Sequence, residues 1–195
     1  RALKMHGGVE KDDLKKENID ALKKGMPNLQ SHIQNIKKFG LEVIVAINHF
    51  ITDTDKEVKI IQELCTKLGV KVSLCTHWSD GGKGTKDLAN NVVEICKRSD
   101  TSKFKHLYSD QIPILEKVKK IAKEIYNAKG IEVDEKIKKQ VKKIEQAGFG
   151  RFPVCIAKTQ YSFSTDPKLK GASSGHTLTI REVRLSSGAE FVVIV

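Results

Sequence analysis

The sequence predicts an α/β fold: a mixed, largely parallel sheet with flanking helices, plus a smaller, incomplete α/β region at the C-terminus. Three observations carry this. Residues 41–47 (Leu-Glu-Val-Ile-Val-Ala-Ile) are β-branched and nearly all apolar, which suits a strand buried on both faces of a parallel sheet. Residues 70–75 (Val-Lys-Val-Ser-Leu-Cys) form a second strand. Between them Val58, Ile61, Leu64 and Cys65 recur at helical spacing, behind a cap at Thr54 or Asp55 and before a stop at Gly69. Strand, helix and strand over 41–75 make a βαβ unit, whose crossover should be right-handed.

The remaining elements follow from the same signals. Residues 1–8 end an element and run into a glycine turn. Leu14, Ile19 and Leu22 predict a helix over 11–24 that Gly25 stops; Pro27 opens a second one through Leu29, Ile33 and Ile36, closed at Phe39 and Gly40. After the βαβ unit, a loop over 77–85 leads into a helix over 86–97. Residues 99–109 are a polar connection. Helices over 111–127 and 134–147 follow, separated by 130–133, and the second ends at Gly148 and Gly150. Residues 152–157 read as a strand, 158–176 as a polar loop, and 177–185 and 191–195 as two strands. A start on Arg1 rather than Met, and an end at Val195 within a strand, read as a piece cut from a longer chain.

Composition narrows the function classes. With 39% hydrophobic and 30% charged residues the chain is an ordinary globular sequence, with no apolar run of membrane-spanning length and no leader. The cysteines at 65, 75, 96 and 155 form no C-x-x-C pair, so no zinc or other metal site is expected; apolar neighbours suggest buried, reduced thiols. The net charge of +11 leaves a basic nucleic-acid-binding module as an alternative function. Against it, the lysines recur at helical spacing among acids, as at Lys117, Lys119, Lys120 and Lys123 or Lys136, Lys138, Lys139 and Lys142. Aromatics are 6% and do not interleave with them. Neither nucleic acid nor membrane is the expected partner.

Open parallel sheets bind ligands at the carboxyl ends of their strands. Two loops leave that edge. One carries Asn48, Phe50 and Asp53; the other carries Trp78, Gly81 and Gly82. Phe50 and Trp78 each follow a strand by three residues, so neighbouring strands would set the rings face to face across a gap fit for a flat heterocycle. The run Gly81-Gly82-Lys83-Gly84-Thr85 could cradle an anion or simply let Trp78 approach a ligand; its order is not that of a P-loop. A third strand exit offers Lys158, Gln160 and Tyr161 for reading a polar ring edge or an anionic tail. No nucleophile–base or paired-carboxylate signature is present, so no catalytic residue is named. His49 and His77 flank the aromatic pair.

At these loops the sequence resembles formate–tetrahydrofolate ligases (formyltetrahydrofolate synthetases). The resemblance runs from Arg1-Ala-Leu-Lys-Met-His-Gly-Gly through the segments at 28–40, 46–54 and 77–84. It is sharpest at 153–162 and 181–189. It implies an enzyme of one-carbon metabolism that joins formate to tetrahydrofolate at the expense of ATP, with Mg and possibly a monovalent cation, through formyl phosphate. It further implies a cytoplasmic homotetramer whose folate pterin is sandwiched by two aromatics, here Phe50 and Trp78. On this reading residues 1–30 are the tail of the nucleotide-binding domain with a connecting helix, 31–150 a middle α/β domain and 151–195 a partial C-terminal domain. The P-loop would lie upstream, leaving the chain inactive without the rest of the ligase. The sequence departs from the family where a Gly-Ala-Pro-x-Gly-Phe stretch reads Gly171-Ala172-Ser173-Ser174-Gly175-His176.

Overall fold

The computed structural model describes residues 1–157 and 161–195, and its elements bear out the α/β class. The chain forms two compact units, 1–105 and 106–195. The divisions expected after 30 and after 150 fall inside these units.

The first unit opens with helix α1 (Ala2–His6) and a 3-10 turn at Lys11–Asp13. The two helices expected to be divided by Gly25 and Pro27 are instead one, α2 (Ile19–Lys37), which runs through both residues. Gly25 is a packing residue rather than a stop. A Cβ there would lie 1.9 Å from the Leu3 carbonyl oxygen, and one on Gly7 would lie 1.8 Å from that of Ala21. The backbones of α1 and α2 thus meet through two glycines, an approach no larger residue permits. Pro27 removes one hydrogen bond from the helix interior at a cost of about 3 kcal/mol. Burial of Leu22, Met26 and Ile33 around it offsets that cost.

The predicted βαβ unit is present. Strand β1 (Ile44–Asn48) lies parallel to β2 (Lys71–Cys75), with Ile47 opposite Leu74 and Asn48 opposite Cys75. Helix α3 (Asp55–Lys67) connects them. Thr54 is its cap and completes a reciprocal capping box with Glu57. Ile33, Val45, Cys65 and Val70 form the core on one face of the sheet, with Val72 and Ile61 against it. On the other face, helix α5 (Lys86–Arg98) reaches β2 through polar groups. Ser73 Oγ donates to Asp87 Oδ2 at 2.6 Å, and Asn91 Nδ2 donates to Ser73 Oγ at 3.1 Å. Strand β1 is buried on one face only: Val45 and Ile47 are covered, whereas Ala46 and Asn48 are exposed. The apolar run suggested burial on both. Among the cysteines, Cys65 and Cys75 are buried as the apolar neighbours suggested, but Cys96 and Cys155 are exposed.

The second unit contains helices α6 (Ile114–Glu124) and α7 (Glu135–Ile144) and strands β3 (Gly130–Val133), β4 (Val154–Ile156), β5 (Thr177–Ile180), β6 (Val183–Ser186) and β7 (Phe191–Ile194). The residues read as a separator between helices are strand β3, parallel to β5. The stretch 177–185 is two strands in different sheets, because β6 pairs antiparallel with β7 while β4 pairs parallel with it. Ile114, Val118, Ile137, Val141, Val183, Val192 and Ile194 fill the core. Asp134 caps α7 by accepting from the Ile137 N–H at 2.7 Å. Tyr108 Oη pins the start of β4 by accepting from the Val154 N–H at 2.9 Å.

Candidate functional site

Parallel pairing sets the carboxyl ends of β1 and β2 side by side, and hydrogen bonds fix the segments beyond them. The His49 N–H donates to the Cys75 carbonyl at 3.0 Å. The Phe50 N–H then donates to Asp53 Oδ2 at 2.9 Å, and the Asp53 N–H donates back to the Phe50 carbonyl at 2.8 Å. This doubly closed turn holds Phe50. Trp78 sits on α4 (His77–Asp80), a single turn fastened at its base by the Thr76 N–H donating to the Gly84 carbonyl at 3.1 Å. A Cβ on Gly84 would lie 2.6 Å from the Thr76 carbonyl carbon, so only glycine closes this loop. Thr76 Oγ1 donates to Asp80 Oδ2 at 2.5 Å; that bond and one from Ser79 hold the Asp80 carboxyl below its usual range.

The two rings come together. The centroids of Phe50 and Trp78 are 5.9 Å apart, with planes tilted by 35°. They therefore touch one another rather than framing the gap the sequence suggested. A flat ring between them needs about 7 Å, two contacts of ~3.5 Å each. Trp78 is 72% exposed, so little packing restrains it from moving outward. The His77 ring lies 6.2 Å from it, and His77 Nδ1 is buried without a hydrogen-bond partner. The Arg1 guanidinium stands 4.0 Å over the Phe50 ring and donates to Thr52 Oγ1 at 3.2 Å. Nothing in the sequence pointed to Arg1, because it is 49 residues from Phe50 and no local pattern links them.

Beside Phe50 lies a cavity of about 520 Å³, lined by Arg1, Asn48, Phe50, Asp53 and residues of α1, α2 and α3. Three of the predicted residues, Asn48, Phe50 and Asp53, therefore share one concavity. Gly82 lines a different, shallow depression with Thr76, Asp80 and Lys83, and Gly81 begins the 3-10 turn there. Tyr161 belongs to the second unit. It lines a cavity of about 460 Å³ with Tyr126, Leu178 and Arg181. Lys158 and Gln160 fall outside the described residues. Among the described residues no three His, Cys, Asp or Glu side chains converge as metal ligands, and no helix is long and apolar enough to cross a membrane. The first-unit arrangement sets an aromatic pair beside the cavity of about 520 Å³, and hydroxyl–carboxylate pairs such as Ser73–Asp87 and Thr76–Asp80 do not line it.

The family model for formate–tetrahydrofolate ligase matches residues 1–195. The chain belongs to the formate–tetrahydrofolate ligase family. It is 62% identical over 195 residues to a formate–tetrahydrofolate ligase of Pelagibacter ubique, covering 100% of this chain and 35% of the relative. The corresponding ligases of Hyphomonas neptunium and Beijerinckia indica are 55% and 56% identical, again over 100% of this chain and 35% of each relative. The chain thus spans about a third of the length of these ligases, 35%. Membership in the ligase family lends no support to a basic nucleic-acid-binding module. Some of the lysines form i,i+3 pairs on helix surfaces, such as Lys119–Glu116 and Lys138–Glu135.

Proposed function

We propose that this chain is the folate-holding part of a formate–tetrahydrofolate ligase, with Phe50 and Trp78 as the two faces of a clamp for the pterin ring. The observation that carries this is their juxtaposition at 5.9 Å on adjacent strand ends, one ring fixed by its turn and the other 72% exposed. On this reading Trp78 swings outward by about 1 Å and flattens its tilt to admit the ring. Asn48 and Asp53 border the same site. Lys158, Gln160 and Tyr161, which lie together in the sequence, would read the polar ring edge or the anionic tail of the ligand.

The reaction of the whole ligase would join formate to tetrahydrofolate. ATP, carried with Mg, would supply the phosphoryl group that activates formate as formyl phosphate. The glycine run of this chain does not suit those phosphates, because the side chain heading it is the Asp80 carboxylate, and no P-loop sequence is present. Nucleotide, Mg and any monovalent cation are accordingly assigned to the remainder of the ligase, in a cytoplasmic homo-oligomer. Orientation of folate beside the acyl phosphate is this chain's share of the rate advantage.

Trp78 is the sole tryptophan, so its fluorescence reads the clamp directly. Titration with tetrahydrofolate is expected to change its emission. Phe50→Ala is expected to weaken binding about tenfold or more, the loss of one stacking face. An unchanged spectrum at millimolar ligand overturns the clamp. ATP-dependent formyltetrahydrofolate production by this chain alone would overturn its assignment as the folate side only.

A further inference from the structure

We infer that Asp53 reads the hydrogen-bond donor edge of the pterin, an assignment that rests on Phe50 and Trp78 being the pterin clamp. The two oxygens of this carboxylate are treated differently by the fold. Oδ2 is committed, accepting from the Phe50 N–H at 2.9 Å. Oδ1 is buried and has no hydrogen-bond partner. A buried carboxylate oxygen left unpaired is costly, so such an atom in a native structure calls for a missing donor. Asp53 also lines the cavity of about 520 Å³ that Phe50 and Asn48 border. In that cavity wall the Arg1 guanidinium is engaged with Thr52 and with the face of Phe50, and the Arg1 α-ammonium interacts with the Asp53 charge at longer range without hydrogen-bonding Oδ1.

The chemistry of the ligand matches this acceptor. The pyrimidine half of a pterin carries a ring N–H beside an exocyclic 2-amino group, two donors on one edge of a flat ring. Stacking on an aromatic ring is indifferent to which heterocycle is present, since every such ring has a face. A carboxylate in the cavity wall supplies the discrimination that stacking lacks, because an analogue without the donor leaves the buried acceptor unpaired. The same residue therefore fixes the clamp with one oxygen and selects its contents with the other.

The test compares tetrahydrofolate with its 2-desamino analogue on the wild-type chain, Asp53→Asn and Phe50→Ala, by calorimetry and Trp78 fluorescence. The wild type is expected to prefer tetrahydrofolate about tenfold or more. Asp53→Asn can still accept from the Phe50 N–H through its amide oxygen but turns an NH2 group toward the pterin donors. It is expected to lose that preference and to bind tetrahydrofolate at least tenfold more weakly, with an unchanged unfolding midpoint. Equal binding of both ligands by the wild type, with Phe50→Ala weakening both, overturns the role of Asp53 and leaves the clamp standing. Absence of binding by either ligand overturns both readings.

Discussion

Lys4 and Glu57 face one another at 2.9 Å with 1% and 5% of their side chains exposed, the most deeply buried ion pair among the described residues. Lys4 Nζ also donates to the Lys16 carbonyl at 2.8 Å, and Glu57 Oε1 accepts from the Asn18 N–H at 3.1 Å. One pair thereby ties α1, the segment before α2 and the first turn of α3, which begins directly after the Phe50–Asp53 turn. Removing one partner leaves a buried charge, so Lys4→Ala is expected to cost about 3–5 kcal/mol. Lys4→Met combined with Glu57→Leu should cost less than either single change. Burial pushes the Glu57 carboxyl up, but hydrogen bonds from Lys4, Asn18 and Thr54 outweigh it, and the net shift is downward. Stability from a carboxyl with a lowered folded pKa is fully present above the unfolded value of about 4.3 and is lost as pH falls through the folded value. Urea midpoints between pH 7 and pH 3 should therefore fall more steeply for wild type than for the double variant.

Gly25 gives a second prediction, one opposite to helix propensity. Glycine to alanine inside an exposed helix gains about 1 kcal/mol. Here the added methyl would sit 1.9 Å from the Leu3 oxygen, and the obstacle is backbone. Gly25→Ala is expected to destabilise by about 1–3 kcal/mol as α1 is forced off α2. Gly82→Ala, where an added Cβ meets nothing within 4 Å, is the control. A Gly25→Ala midpoint at or above wild type would show that α1 does not need this contact.

Lys117 is fully buried without an acidic partner in hydrogen-bond reach; its ammonium donates to the Gly150 and Phe152 carbonyls, each at 2.9 Å. Burial lowers its pKa, only partly opposed by Asp110 and Glu145. Between the folded value and the unfolded value of about 10.4, the unfolded chain binds more protons, so stability from this site rises with pH. Lys117→Met deletes that dependence. The difference in unfolding free energy, wild type minus variant, should grow more favourable to wild type as pH is raised through this window. A difference independent of pH would mean that the ammonium does not lose its proton in the folded state.

What the sequence made legible is local. Thr54 capping α3, Gly69 ending it, and the two strands around it are each signalled within a few residues, and they suffice to bring Phe50 and Trp78 to one sheet edge. Gly25 and Pro27 misled because their reason is tertiary: the glycine admits another helix, and burial around the proline offsets its missing bond. Strand β3 was hidden by its length, four residues between two strong helical patterns, with a partner, β5, that is far along the chain. The separation of the Phe50–Trp78 rings was not legible either, since strand register fixes where side chains start but not how far rings collapse onto one another. Asp53 was legible as a candidate pocket residue on the first loop, but only the turn geometry distinguishes its two oxygens.

The loop at 171–176 supplies the last prediction. Where the family pattern noted above has proline and phenylalanine, this chain has Ser173 and His176. The structure leaves Ser173 Oγ and both ring nitrogens of His176 buried without hydrogen-bond partners. The backbone beside them is in order, with the Lys129 N–H donating to the His176 carbonyl at 2.8 Å and the Gly175 N–H to the Asn127 carbonyl at 2.9 Å. The unpaired polar groups of this loop are therefore side-chain atoms. An unpaired buried polar group costs about 1–3 kcal/mol, and an aromatic ring of similar shape without nitrogens removes that cost while keeping the buried area. His176→Phe is expected to raise the thermal midpoint by about 2–4 °C for each kcal/mol recovered. Ser174→Ala, at an exposed position in the same loop, should leave it unchanged. A lowered midpoint for His176→Phe would mean that the imidazole has a polar partner in solution, and that the histidine contributes to this loop rather than burdening it.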